Sequence, residues 1–153
     1  MYPKGHASQY RTEFFGFLKL KMGKKLSSER TRINWMKYPT GIDKLFFRCE
    51  IDHAGARLCI DIQHKDAGIR KLIFDQFLEM KPVLEKHIGV LDWQEEFETE
   101  EGNLISRISI THPESNLFDK ETWPDAFDFF SKKLIRLDKT WSMAKYTFLQ
   151  LLH

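Results

Sequence analysis

Asp52 and the run Asp61-Ile62-Gln63 come closest, in residue type and spacing, to a catalytic pattern. An acid on one strand and an acid-x-Gln on its partner can hold Mg²⁺ through oxygen while the polar residue steadies an attacking water, as in restriction-type nucleases. The strand register that the alternation implies argues against a shared ion. It pairs Asp61 with Arg48 and Asp52 with Arg57, so the two acids lie more than about 10 Å apart at about 3.4 Å per residue. Salt-paired surface residues rank ahead of metal ligands here. His53, His64, His87 and His112 fall in different elements, with none at the spacing of a helical zinc site. His64 precedes Lys65-Asp66 at a strand-to-helix junction and reads as a satisfied junction histidine ahead of a base or ligand. There is no Gly-rich phosphate loop, no G-x-S-x-G elbow and no cysteine beside a base, so neither a metal nor a cofactor is expected.

The net charge of +2 conceals an asymmetry. Residues 1–44 carry ten Lys or Arg against three acids, while Asp92–Glu101 holds six acids and no base. Lys19, Lys21, Lys24, Lys25, Arg30 and Arg32 form a basic stretch that could attract phosphate, although a solvated helix face is the commoner meaning of such a run.

The elements that must position these groups follow from periodicity. A first helix is predicted over 8–25, burying Tyr10, Phe14, Phe17 and Leu18. Ser27 to Tyr38 reads as a short helix or a loop. Residues 45–65 alternate with period two around His53-Ala54-Gly55-Ala56 and predict a hairpin with Phe47 opposite Ile62, Cys49 opposite Ile60 and Ile51 opposite Leu58. That register puts Cys49 and Cys59 on opposite faces, which excludes a disulfide between them. Its outward face (Arg48, Glu50, Asp52, Arg57, Asp61, Gln63) is solvated or open to a partner, and with His64 it forms the candidate polar surface. Residues 66–88 predict a helix capped by Asp66, interrupted near Pro82 and closed by Gly89. Residues 92–111 predict a second hairpin, with Glu96 facing Arg107 and Phe97 inward; the alternation aims Glu95 inward unless a bulge intervenes. Residues 122–151 predict a long helix opened by Thr122 or Asp119 and Pro124, with an apolar stripe from Trp123 to Leu151. One end of it has length to spare for the first helix or another subunit.

Together these give one α+β domain spanning 1–153: a four-stranded antiparallel sheet from two hairpins, in the order α-ββ-α-ββ-α, with helices mainly on one face. The aromatic share of 14% supports a real core, and no apolar run is long enough to span a bilayer, so a cytoplasmic location is the expectation.

Asn34-Trp35 before the sheet, Ser106-Arg107-Ile108 on the last strand and Trp123-Pro124 opening the final helix resemble an uncharacterised bacterial family, the domain of unknown function numbered 4268. The resemblance runs from Tyr10 to Phe148, and this chain reads as the stand-alone form, without a nuclease-like domain ahead of it. It carries no catalytic residues over, and it implies an accessory or recognition role near nucleic-acid processing. Trp35 and Trp123 are expected as core anchors and Arg107 as the partner of Glu96. The leading functional expectation is a non-enzymatic binding or accessory module whose partner is another protein or a second copy of itself. The alternatives are nucleic-acid binding through the basic stretch and, behind both, a metal-dependent nuclease.

Overall fold

The computed structural model describes residues 4–153. Helix α1 (Lys4–Met22) is followed by a loop with one 3-10 turn at Trp35–Lys37. Strands β1 (Leu45–Asp52) and β2 (Gly55–Ile62) form the first hairpin. Helices α2 (Ala67–Glu79) and α3 (Lys81–Ile88) lead to β3 (Asp92–Glu98) and β4 (Leu104–His112), and α4 (Trp123–Leu151) closes the chain. The four strands form one antiparallel sheet in the order β1-β2-β4-β3. The predicted α+β class therefore holds, and β4 sits between β2 and β3. That position suits its sequence: Ile105 to Ser109 are buried without a break, as a central strand requires, whereas acid-rich β3 has no fully buried residue and forms an edge.

Two registers differ from those predicted. The first hairpin turns tightly through His53-Ala54, so Phe47 faces Ile60, Cys49 faces Leu58 and Glu50 faces Arg57. This is a shift of two residues, which leaves every side chain on its predicted face because the pleat has period two. The shift does change the pairs: Arg48 stands opposite Cys59, not Asp61. The second hairpin is bulged between Gln94 and Phe97. Glu95 and Glu96 are both exposed, and Glu95 reaches Lys71 at 3.4 Å. Because the bulge adds a residue, Phe97 pairs with Ile105 and turns outward, while Gln94 takes the place predicted for Glu96 opposite Arg107.

Local chemistry sets the helix ends. Asp66 accepts from the Gly68 and Ile69 amides, as predicted. Pro82 lies in the first turn of α3 and Met80 links the two helices, so the predicted interruption is a clean break. Gly89 closes α3 at φ 122°, and the Lys133 ammonium caps the Ile88 carbonyl. Asp119 caps the 3-10 turn Lys120–Thr122 that runs into α4; Thr122 makes no side-chain cap there.

The core lies between the sheet and α2, α3 and α4. Trp141 stacks on Phe77 at 5.9 Å and meets Phe47 edge-on at 5.5 Å, while its indole N–H donates to the Thr40 carbonyl. Helix α1 lies on α4 through Phe14, which stacks on Phe127 at 4.7 Å and meets Trp123 edge-on at 5.3 Å. Phe14 and Leu18 are buried as predicted; Phe17 is half exposed, one position off the buried stripe that ends at Met22. The loop after α1 is held by Asp138 of α4, which accepts from the Tyr38 hydroxyl at 2.5 Å and the Ser28 amide at 2.7 Å.

Candidate functional site

The other face of the sheet forms the floor of a cleft of about 610 Å³. Arg107 of β4 is its hub. Its Nε and Nη2 donate to both oxygens of Asp61 on β2 at 2.8 and 2.9 Å. Nη1 and Nη2 also donate to Glu50 on β1 at 3.2 and 3.1 Å. Phe97, turned outward by the bulge, covers the guanidinium at 4.3 Å. Arg57 extends the network, bonding Asp52 at 2.6 Å and meeting Glu50 at 3.5 Å. A bidentate Arg–carboxylate pair of this kind fixes geometry as well as charge.

Burial raises the Asp61 carboxyl above its ordinary value, and the two bonds from Arg107 oppose that rise. Burial also pushes the Cys59 thiol beneath the floor up to about 12, and it raises Cys49. Both cysteines are free thiols on opposite faces of the sheet, held protonated at neutral pH. Among the described residues every buried side-chain nitrogen or oxygen has a hydrogen-bond partner, and no cluster of three or more His, Cys, Asp or Glu could hold a metal ion.

Of the sequence-predicted polar surface, Arg48, Glu50, Asp52, Arg57, Asp61 and Gln63 line this cleft. His64 does not. It borders a smaller hollow of about 350 Å³ with Ile69, Ile73 and Leu149, and its Nδ1 accepts from the Asp66 amide at 3.2 Å. Asp52 and Asp61 are further apart than the predicted register implies. Asp52 stands opposite Gly55, six positions along β2 from Asp61, or about 20 Å.

Sequence reasoning missed the α1 contribution, Arg11 and Phe15, and the β3–β4 side with Gln94, Phe97, Ser109 and Thr111. It also missed the partners of Arg107. The one available signal was an arginine inside an apolar-patterned strand, Ile105 to Ser109, where burial demands a carboxylate from a neighbouring strand.

Of the basic stretch, Lys19, Lys24, Arg30 and Arg32 are exposed and make no ion pair among the described residues. Lys21 pairs with Asp128 at 3.0 Å, and Lys25 is partly buried where its carbonyl accepts from the Trp35 indole.

The model of the family described as Domain of unknown function (DUF4268) matches residues 10–145. The chain belongs to that family. No curated protein and no solved structure matches it. In this DUF4268 chain the residues that carried the resemblance have distinct places. Trp35 and Trp123 are buried core anchors with their indole N–H groups satisfied by Lys25 and Leu117 carbonyls. Arg107 joins three strands from the cleft floor, bonded to Asp61 and Glu50 and not to Glu96. No helix among the described residues is long and apolar enough to cross a membrane.

Proposed function

We propose that this DUF4268 chain is a non-enzymatic binding module that receives a cationic segment of a partner protein on the open face of its sheet. The observation that carries the reading is the charge of the cleft. Four arginines and seven carboxylates line it. Arg107 and Arg57 are engaged by Asp61, Glu50 and Asp52, leaving Asp92, Glu98, Glu100 and Glu101 on the β3 side against Arg11 and Arg48. A concave surface with an excess of one charge concentrates ligands of the other sign and repels a polyanion. The floor supports binding over catalysis, since its ionisable groups saturate one another and Cys59 is held as a thiol.

A labelled lysine- and arginine-rich peptide followed by fluorescence anisotropy tests this. Binding is expected at low salt and is expected to weaken about tenfold or more when Glu98, Glu100 and Glu101 are changed to Lys. Binding that ignores the charge reversal, or turnover of any substrate that depends on Asp61, would contradict the reading.

A second reading rests on a separate surface. The unpaired Lys19, Lys24, Arg30 and Arg32 favour nucleic acid on the end of α1 and the segment that follows it. Retention of DNA or RNA in a gel, lost steeply with salt, supports it; no retention at low salt removes it.

A further inference from the structure

We infer that the cationic segment received by the cleft is the basic loop of a second copy of this chain, an inference that rests on the binding reading above. The loop is built to be presented. Arg30 sits at φ 61°, its amide donates to the Ser27 carbonyl at 2.8 Å, and the Ser27 amide donates to the Thr31 carbonyl at 2.9 Å. The Ser27 and Thr31 hydroxyls are bonded at 2.9 Å across the same turn. These contacts hold a tight, ordered bend with Arg30 and Arg32 exposed at it. A pre-ordered loop loses little conformational freedom on docking, which favours it over a flexible tail of the same charge. The positive φ at a non-glycine residue is strain retained at the bend.

Among the described residues the loop contributes nothing to the lining of its own molecule's cleft. Asp138 of α4 anchors it through the Ser28 amide and Tyr38, and Lys145 of α4 holds Glu29, next to Arg30, at 2.7 Å. Contact is therefore in trans. Bases at the bend meet the β3-side acids Glu98, Glu100 and Glu101, which make no ion pair among the described residues. The two surfaces differ, so the contact is either exchanged reciprocally in a two-fold dimer or repeated head-to-tail into chains or a ring.

Light scattering of the full chain at about 20 mM and about 0.5 M salt tests the inference, because the screening length shrinks severalfold between them. The expected result is a mass that rises with concentration at low salt to at least double 18.2 kDa and returns to that value at high salt. Two variants, Arg30→Glu with Arg32→Glu, and Glu98→Lys with Glu100→Lys and Glu101→Lys, are each expected to stay monomeric. An equimolar mixture of the two is expected to associate, since an acidic loop then faces a basic cleft. A wild-type mass fixed at the monomer value overturns the inference, as does association of either variant alone, failure of the mixture, or association only with added oligonucleotide. A monomer that still binds the lysine- and arginine-rich peptide leaves the binding reading standing; a monomer that binds no such peptide removes both.

Discussion

Arg107 shows how one residue ties the fold to the cleft. With its side chain only 11% exposed, and 1% for its partner Asp61, the pair is stable only while both members are present. Arg107→Ala leaves a buried carboxylate uncompensated and is expected to cost about 3 kcal/mol in urea denaturation. Arg107→Met combined with Asp61→Leu is expected to recover about half of that loss or more, because apolar replacement of both partners removes the desolvation penalty. Asp138 works differently. It bonds the loop and not the sheet, so Asp138→Ala is expected to cost about 2 kcal/mol and to speed hydrogen exchange over Ser28–Tyr38 ahead of the strands. The reach of the sequence is plain at this scale. The two tryptophans and the Asp66 cap are set by local pattern and were legible. The partner of Arg107 was not, because it depends on β2 lying beside β4, and no local signal in either hairpin reports which strand its neighbour will be.

At the scale of elements, periodicity predicted every helix and strand, and turn chemistry decided where it erred. Alternation in β1 and β2 fixes which side chains face the core, but a shift of two residues preserves the faces, so only the turn could set the register. Gly55 identifies the turn in the structure. It opens β2 at φ 144°, and a Cβ there would stand 2.7 Å from the His112 carbonyl oxygen and 3.0 Å from Pro113 Cα. Both are backbone atoms that cannot swing aside. Gly55→Ala is therefore expected to cost about 2 kcal/mol and to loosen the β2–β4 pairing at Ala56 and His112, which urea denaturation and amide exchange at those residues would reveal. In the second hairpin, the misfit of Glu95 was the legible trace of a bulge. Its consequence was out of reach, since only the register shift turns Phe97 over Arg107.

For the whole molecule, three carboxylates held below their ordinary value favour the fold above the carboxylate range, and Asp61, raised by burial, works against them. Burial would raise Asp52, but bonds from Arg57 and the Ala54 amide outweigh it and hold the carboxyl below its ordinary value. The Leu91 amide lowers Glu85, and Lys21 lowers Asp128 at an exposed site where solvent screens the effect. In each case the unfolded chain takes up its proton at a higher pH than the folded one. The stabilisation is therefore complete above the ordinary carboxylate range and is lost as pH falls through the folded values. The urea midpoint is expected to drop between about pH 5 and about pH 3, and Asp52→Asn is expected to flatten part of that drop. The cleft itself is a property of the whole chain: β1, β2, β3, β4 and α1 each contribute to its lining, which is why the sequence reading reached only the half contributed by the first hairpin.

The most direct measurement is amide chemical-shift mapping of the full chain titrated with the lysine- and arginine-rich peptide at low salt. Shifts are expected at Gln63, Gln94, Ser109 and Thr111, on the open face of the sheet, with the helical side unmoved. Shifts confined to the helical side, or none at saturating peptide, would contradict the binding reading.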